Sequence, residues 1–347
     1  VLAITGTNGK TTSVTLLGEI MKNTGKVSHV VGNVGYPYSS AVLNAGAEDV
    51  MVCEVSSFQL ETTKEFHPAV AALLNITEDH LNRHKTMEEY MRLKLRIFEK
   101  QSKFDIAVLN YDDAFIQEHK AHILSKIPSQ VLWFSRKAEV KEGAYVKGDG
   151  LYVRFAGQEN YICNINKIKI PGPHNLENAM AVACMAIAMR VKPQIIGHTL
   201  HRFSGVEHRI ETIAIKEGIT YINDSKGTNP DSTEKAVASM AAPTNIILGG
   251  YDKNADFHAL CKAIVENEYI QNAILIGQTA KQIAECLENV GFTNFTFAGN
   301  MVDAVVTAKA LAKQNYNVLL SPACASFDMY TDYEARGEHF RSIVETM

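Results

Sequence analysis

Residues 1–12 of the chain, VLAITGTNGKTT, form an apolar run that breaks into a glycine loop and leads into an amphipathic stretch. This order predicts a β-strand, a turn and the start of a helix. Glycines at positions 6 and 9 allow backbone N–H groups to face an anion, and the helix adds the positive end of its dipole. Lys10 can reach terminal phosphate oxygens, and the Thr11 hydroxyl is placed to ligate Mg²⁺. The segment therefore predicts phosphate binding.

The motif departs from the standard phosphate loop at one position, where Ile4 replaces a glycine and leaves the shorter form Gly-x-x-Gly-Lys-Thr-Thr. The alternative is a turn whose glycines cap a strand and whose lysine is solvated. Phosphate binding is favoured because the motif lies between a strand and a helix. The candidate phosphate-binding residues are Gly6, Thr7, Asn8, Gly9, Lys10, Thr11 and Thr12.

Length and composition limit the classes of protein to consider. With 347 residues and 46% hydrophobic content, the chain can form a large core, and its length is typical of two domains, with three as the alternative. The net charge of -4 excludes general electrostatic attraction to nucleic acid or to an anionic membrane. Six cysteines without paired spacing indicate reduced thiols and a cytoplasmic protein. The longest apolar run, residues 179–189, is too short to span a bilayer.

The first part of the chain alternates strand and helix patterns, which predicts a mostly parallel sheet covered by helices. Thr86 and Glu89 predict a capping box at one helix start, and a small antiparallel patch is expected within residues 143–170. The expected strands are 27–31, 50–55, 70–76, 106–109 and 131–134, and the expected helices are 10–24, 86–100, 112–123, 174–189 and 192–200.

A second domain is expected after residue 206, where the sequence turns polar without a periodic pattern. We expect a hairpin formed by residues 212–215 and 220–223, and then strands alternating with helices that start near residues 232, 256, 279 and 301. The further strands are predicted at 245–248, 273–276, 294–297 and 317–320. The predicted fold class is thus α/β, with a P-loop ATPase domain over residues 1–206 and a Rossmann-like, doubly wound domain over residues 207–347.

Polar residues follow several strands of the first domain. Glu54 ends an apolar strand, as a sheet that binds Mg²⁺ beside a phosphate loop requires. His80 follows the strand ending near residue 76 and could ligate a divalent ion, although a surface or capping role is equally open. Lys94 lies between Arg92 and Arg96 in what resembles an ordinary basic helix face. Nothing in the spacing distinguishes Lys94 from its neighbours.

Other polar groups occur at helix starts and strand ends. Asn175 and Asn178, three residues apart at a helix start, could pair with a purine edge or cap the helix. Residues 207–209 and 223–230 form two further polar clusters, and residues 249–253 and 321–328 each follow a strand. Helix-start amides with Lys253 would suit a carboxylate ligand. We interpret Cys324 as a buried, inert thiol rather than a nucleophile.

Taken together, residues 6–12, Glu54, His174-Asn175-x-x-Asn178, His208-Arg209 and residues 223–226 resemble the Mur ligase family over essentially the whole chain. The stretches SSFQLE at 56–61 and SPACASFD at 321–328 resemble the members that add D-glutamate. The resemblance implies an ADP-forming amide ligase of peptidoglycan synthesis. It would phosphorylate the carboxylate of UDP-N-acetylmuramoyl-L-alanine with ATP, and the amine of D-glutamate would then attack the acyl phosphate.

The same resemblance implies roles for individual residues. Lys10, Glu54, His80 and Lys94 would be catalytic. Thr11 and Glu54 would hold one Mg²⁺, and His80 a second, supported by Lys94 as a CO₂-derived carbamate. The nucleotide would be bound by Asn175, Asn178, Arg209 and Asp224. The acyl substrate or D-glutamate would be bound by Asn33, Ser56, Gln59, Lys226, Thr228, Lys253, Ser326, Phe327 and Tyr333.

The resemblance also implies a monomer that acts in the cytoplasm on small molecules, with neither nucleic acid nor membrane as a partner. Members of the family carry a further N-terminal domain that binds uridine diphosphate, and we expect that domain to be missing from these residues. The chain alone should then bind ATP but turn over slowly. Two alternatives remain open: a ligase like folylpolyglutamate synthetase, or a P-loop nucleotide-binding module that does not ligate.

Overall fold

The computed structural model describes residues 1–34, 36–79, 81–170, 172–252 and 255–347. It divides into two compact units, Val1–Gly205 and Val206–Met347. The division lies one residue from the boundary that we expected after residue 206.

The first unit is built on one large sheet. Its strands are β1 Leu2–Thr5, β2 Ser28–Gly32, β3 Val50–Glu54, β4 Val70–Leu73, β5 Ile106–Asn110, β6 Gln130–Ser135, β7 Gly143–Lys147, β8 Gly150–Phe155 and β9 Gln158–Asn164. Its helices are α1 Lys10–Lys22, α2 Tyr38–Val42, α3 Ser57–Thr62, α4 Leu81–His84, α5 Met87–Leu95, α6 Ala114–Glu118, α7 Lys120–Ser125, α8 Pro173–Ala188 and α9 Pro193–Arg202.

The strand order is β2-β3-β1-β4-β5-β6-β7-β8-β9, and every pair from β2 to β7 is parallel. Side chains such as Ala3, Cys53 and Leu109 face a core cluster that includes residues of α5, whereas α1 and α8 pack together and contact other strand positions. Because the parallel strands run the same way, their carboxyl ends share one edge of the sheet. The residues that follow β1, β3, β4 and β5 therefore meet there.

The antiparallel patch expected within residues 143–170 is present but is not a separate sheet. The strand β7 pairs in parallel with β6, and β8 and β9 then add antiparallel neighbours to the same sheet. The helix expected over 112–123 is interrupted at His119, whose ring bonds the Phe115 carbonyl and stacks on the Phe115 ring. The pattern of polar and apolar residues over 112–123 contains no signal for that break.

The Thr86 cap is confirmed, because its hydroxyl accepts a hydrogen bond from the Glu89 amide at 3.2 Å. The reciprocal half of the expected capping box is wrong. The Glu89 carboxylate instead forms two hydrogen bonds to Arg92, one turn along the helix. A charged pair at this spacing competes successfully for the glutamate side chain.

The second unit has a six-stranded sheet of order β10-β11-β15-β12-β13-β14 in which only the β10–β11 pair is antiparallel. Alternate strand residues enter two separate core clusters, one with α10 to α12 and one with α13 and α14, so helices cover both faces. The strands are β10 Glu211–Lys216, β11 Ile219–Asn223, β12 Thr244–Leu248, β13 Ile270–Leu275, β14 Phe295–Phe297 and β15 Asn317–Leu320, and the helices are α10 Pro230–Ala238, α11 His258–Glu266, α12 Ala280–Asn289, α13 Met301–Leu311 and α14 Tyr333–Thr346.

No helix within the described ranges has the length and apolar character needed to cross a bilayer.

Candidate functional site

The glycine loop runs from the end of β1 to the first residue of α1, as its sequence predicts. The Lys10 ammonium donates hydrogen bonds to the carbonyls of Gly6 at 3.0 Å and Thr7 at 2.8 Å, so the lysine lies over its own loop. Gly9 has a φ of 82°, and a Cβ at that position would collide with the Asn178 side chain. Glycine suits this backbone conformation, and a larger residue would also displace the Asn178 side chain.

A residue that sequence reasoning missed fixes the loop to the neighbouring strand. The Asn75 amide accepts a hydrogen bond from the Asn8 N–H at 2.8 Å and donates one to the Asn8 carbonyl at 3.1 Å. Nearby, the Thr7 hydroxyl donates to the Thr77 carbonyl at 3.2 Å and accepts from its N–H at 3.0 Å. The position of Asn75 just after β4 was the available signal, because polar residues at that edge of a sheet face the loop.

Glu54 connects the loop helix to a second strand end. Its carboxylate is 2% exposed and accepts hydrogen bonds from the Thr11 hydroxyl and the Asn33 amide, each at 2.9 Å. The three side chains thus present oxygen donors beside the loop. Such donors fit a magnesium ion, which takes one or two protein oxygens and completes its coordination with phosphates and water.

Lys94 is 1% exposed, so the interpretation of residues 92–96 as a uniform basic face is wrong at this position. Its ammonium donates to the Gly6 carbonyl at 2.9 Å and lies 4.3 Å from the centre of the Tyr90 ring. Burial lowers the pKa of Lys94 well below its usual value, and the Lys10 charge lowers it further. Arg92 on the same helix has an exposed side chain paired with Glu89.

The two amides at the start of α8 lie together, as expected from their spacing. The Asn178 amide donates to the Asn175 side-chain oxygen at 3.3 Å, and Asn178 also packs under Gly9. Between them in sequence, Glu177 accepts a hydrogen bond from Arg136 at 2.7 Å. The start of α8 is therefore attached both to the phosphate loop and to the end of β6.

Ser56 and Gln59 form a complete capping box at the start of α3. The Ser56 N–H donates to the Gln59 side chain at 2.9 Å, and the Gln59 N–H donates to the Ser56 hydroxyl at 3.3 Å. Both expected substrate residues thus have a structural role at a helix start beside the end of β3.

In the second unit, the segments around residues 208 and 224 are joined to each other. His208 is buried, and its Nδ1 atom lies 2.9 Å from the Asn223 amide nitrogen in a hydrogen bond. Arg209, by contrast, is exposed. Asp224 accepts hydrogen bonds from the Ser321 hydroxyl at 2.6 Å and the Ile210 N–H at 3.1 Å. Burial raises the pKa of Asp224 to about 6, although these two hydrogen bonds oppose the shift.

The expected amino-acid residues occupy two connected loops and the start of α14. The Lys226 ammonium lies 5.8 Å from the centre of the Tyr333 ring, and the Thr228 N–H donates to the Lys226 carbonyl. Ser326 is buried, while Phe327 is 61% exposed. These residues line the same side of the unit as the carboxyl ends of β11 and β15, where Asp224 and Ser321 also lie.

Arg336 is a second residue that sequence reasoning missed. Its side chain is fully buried and donates to the Ser225 hydroxyl and to the carbonyls of Ser225, Cys324 and Ala325 at 2.7–3.2 Å. Burial lowers the pKa of Arg336 to about 10. The guanidinium thereby joins the two loops that carry the expected amino-acid residues.

The Arg336→Met variant should lose about 3 kcal/mol of unfolding free energy, because a side chain of similar length leaves the buried carbonyls of Ser225 and Cys324 without this donor. Denaturant unfolding followed by circular dichroism measures this loss. Arg341→Met on the same helix is the control; it removes the more solvated pairs with Glu211 and Glu338 and should cost less than about 1 kcal/mol. Equal losses of unfolding free energy in the two variants would contradict the role of Arg336 as the donor that joins the two loops.

Cys324 is 4% exposed, and burial raises the pKa of its thiol to about 11, as expected for an unreactive cysteine. Two expected site residues, His80 and Lys253, lie outside the described residues. Within the described part of the chain, no group of three His, Cys, Asp or Glu side chains is arranged to hold a metal ion. The Thr11–Glu54 pair therefore needs ligands from a phosphate or water to complete a site.

A glycine loop between a parallel strand and a helix, with a buried carboxylate at the adjacent strand end, defines a P-loop nucleotide-binding protein. Residues 4–186 match the family description "Mur ligase middle domain", and residues 208–324 match "Mur ligase, glutamate ligase domain". The chain belongs to the Mur ligase family, whose members are ATP-dependent, ADP-forming amide ligases.

Curated relatives extend over the whole chain. It is 46% identical over 346 residues to a protein of Thermoanaerobacter sp. (strain X514), 44% identical over 347 residues to one of Alkaliphilus oremlandii, and 41% identical over 346 residues to one of Clostridioides difficile. Each is named UDP-N-acetylmuramoylalanine--D-glutamate ligase. The alignments cover 99–100% of this chain and 75% of each relative.

Solved structures share the fold at lower identity. The MurF ligase of Thermotoga maritima in complex with ADP is 18% identical, with a TM-score of 0.64 over 99% of this chain and 80% of that chain. A MurF structure from Acinetobacter baumannii is 16% identical, with a TM-score of 0.66 over 100% of this chain and 76% of that chain. These similarities support the fold.

Proposed function

We propose that the chain joins D-glutamate to UDP-N-acetylmuramoyl-L-alanine in an ATP-dependent step of peptidoglycan precursor synthesis. The observation that carries the reaction class is the Thr11–Glu54 pair beside a phosphate loop that also contacts a buried Lys94. The choice of D-glutamate rests on relatives named for that reaction at 41–46% identity.

The proposed chemistry has two steps. A carboxylate oxygen of the acyl substrate attacks the terminal phosphorus of ATP, and ADP leaves. The amine of D-glutamate then attacks the acyl carbon, loses a proton and displaces phosphate. The first step converts a poor electrophile into one with a good leaving group, and positive charge at the loop stabilises the phosphate oxygens.

We assign ATP binding to residues 1–206. Backbone N–H groups of residues 6–12 and the Lys10 ammonium would hold the phosphates. Thr11 and Glu54 would hold a magnesium ion, which when bound neutralises charge on the phosphates. Asn175 and Asn178 would bind the base, since paired amides can match a purine edge and Asn178 already contacts the loop at Gly9.

Lys94 is assigned to a carbamate that supports a second magnesium ion together with His80. Carbamylation requires a neutral amine, whose lone pair attacks the carbon of CO₂ with loss of a proton. The burial of Lys94 supports this role because it lowers the pKa of the amine and so favours its neutral form. The product would place negatively charged oxygen ligands beside the phosphate loop, whereas the unmodified amine carries no negative charge.

Residues 207–347 are assigned to the amino-acid substrate. Lys226, Thr228, Ser326, Phe327 and Tyr333 are the candidate contacts, and Lys253 is proposed as the cation that opposes a carboxylate of D-glutamate. The connection of two loops through Arg336 supports a single, ordered site in this unit. Asn33, Ser56 and Gln59 remain the candidates for the acyl substrate, and Arg209 and Asp224 remain nucleotide candidates.

Phosphate release with ATP, UDP-N-acetylmuramoyl-L-alanine and each of several amino acids tests the proposal. We expect D-glutamate to give the fastest release and a new amide product by mass spectrometry. A higher rate with L-glutamate, L-lysine or diaminopimelate would overturn the substrate assignment. Glutamate addition to a folate acceptor would favour the folylpolyglutamate synthetase-like alternative, and ATP hydrolysis indifferent to every amino acid would favour a non-ligating module.

A further inference from the structure

We propose that Ser57 and His84 are positioning residues that hold Tyr90, and through it Lys94 and the phosphate loop, in place relative to the start of α3. This inference rests on the proposed function, because it explains how two parts of that site keep their spacing. Ser57 lies within the SSFQLE stretch but received no role from it, and His84 belongs to none of the sequence motifs.

The first contact is a buried polar pair. The Ser57 hydroxyl and the His84 ring nitrogen Nε2 share a hydrogen bond of 3.0 Å, and the two residues are 2% and 4% exposed. Ser57 is the first residue of α3 and directly follows Ser56, a candidate contact for the acyl substrate. The pair therefore fixes the end of α4 to the start of α3.

The second contact is aromatic. The His84 ring stacks on the Tyr90 ring with centres 5.2 Å apart and an interplanar angle of 22°. The Phe58 ring packs against the His84 ring, with the ring centres 5.3 Å apart. Tyr90 is 1% exposed, so its ring orientation is set by these neighbours rather than by solvent.

The third set of contacts reaches the phosphate loop at two points. The Tyr90 hydroxyl donates to the Thr7 hydroxyl at 3.4 Å, and the Lys94 ammonium lies 4.3 Å from the centre of the Tyr90 ring. Lys94 in turn donates to the Gly6 carbonyl at 2.9 Å. A displacement of the Tyr90 ring would therefore move both the amine of Lys94 and the hydroxyl of Thr7.

The polarity of this chain of contacts favours positioning over simple core packing. Burying a hydroxyl and an imidazole is unfavourable unless they are hydrogen-bonded in a fixed geometry, whereas apolar side chains would fill the same space without that requirement. A directional bond restrains His84 to one ring orientation. Shifts of about 1 Å at a reacting group can reduce a rate by roughly 100-fold, so such restraint has a functional consequence.

The test uses the variants Ser57→Ala, His84→Phe and the double variant, with Thr62→Ala, exposed on α3, as the control. His84→Phe keeps a ring for stacking but removes the hydrogen bond. We expect each single variant to lower kcat about tenfold with an unchanged KM for D-glutamate. The double variant should lose no more than the worse single variant, because both remove the same bond. Thr62→Ala should behave as wild type.

A second measurement does not depend on turnover. The fraction of Lys94 carried as carbamate, read by ¹³C NMR with labelled bicarbonate, should fall in both single variants while circular dichroism shows the native fold. Wild-type kcat and carbamate in the folded variants, or losses that add in the double variant, would overturn the positioning role. Failure of the wild-type protein to ligate D-glutamate would instead overturn the proposed function.

Discussion

Replacement of Lys94 by Met should reduce turnover by about a thousandfold and leave the protein folded. Methionine fills nearly the same volume over Tyr90 but has no amine to carry the carbamate or to bond the Gly6 carbonyl. The measurement is phosphate release at saturating substrates, with circular dichroism to check folding. Arg92→Met on the same helix is the matched control, because that side chain is exposed, and it should keep wild-type activity.

The proposed carbamate also predicts that turnover by the wild-type protein depends on dissolved CO₂. Removing dissolved CO₂ and bicarbonate should slow turnover, and adding bicarbonate back should restore it. A ¹³C signal from labelled bicarbonate should be present in the wild type and missing from Lys94→Met. Full activity of that variant would exclude the carbamate role, and the amine would then be a structural donor to the loop.

Replacement of Glu54 by Gln should lower kcat by about 100-fold and raise the magnesium concentration needed for half-maximal activity. Glutamine preserves the shape of the side chain and can still accept from Thr11, so the loop geometry should survive. What is lost is the negative charge that favours a divalent cation. Magnesium-dependent ATP binding, followed by calorimetry, gives a readout separate from turnover.

Glu19→Gln provides the control for that experiment. Glu19 lies exposed on α1, the helix that begins at the phosphate loop, and its substitution changes net charge equally. We expect no change in the magnesium requirement of the control. If the two variants shift the magnesium requirement to the same extent, general electrostatics and not a metal ligand would explain the result.

Structural features that depend on short, continuous segments of the chain could be predicted from the sequence. Residues 1–12 combine a strand, two glycines and a lysine in the order typical of a phosphate loop. The strand pattern predicted a carboxylate at Glu54 near that loop, and the family resemblance paired Glu54 with Thr11, which it contacts. The Asn175–Asn178 contact also followed from spacing, because residues three apart on a helix are neighbours.

Features that depend on long-range packing could not be predicted in this way. Lys94 is two residues from Arg92, so helix geometry puts the two side chains on different faces of α5, but only the structure shows that the face of Lys94 is buried. Asn75 and Arg336 bond to backbone groups far away in sequence, in Asn8 and Ser225 respectively. Backbone partners leave no complementary residue type in the sequence, so such contacts have no local signature.

The position of β15 in the second unit has a consequence for how this unit folds during synthesis. Asn317–Leu320 lies between β11 and β12, although it is the last strand of the unit along the chain. Until those four residues have been synthesised, the strands β10 and β11 have no hydrogen-bonded connection to the strands β12, β13 and β14. The C-terminal unit should therefore acquire its native hydrogen-exchange protection only late in synthesis, in a single cooperative event.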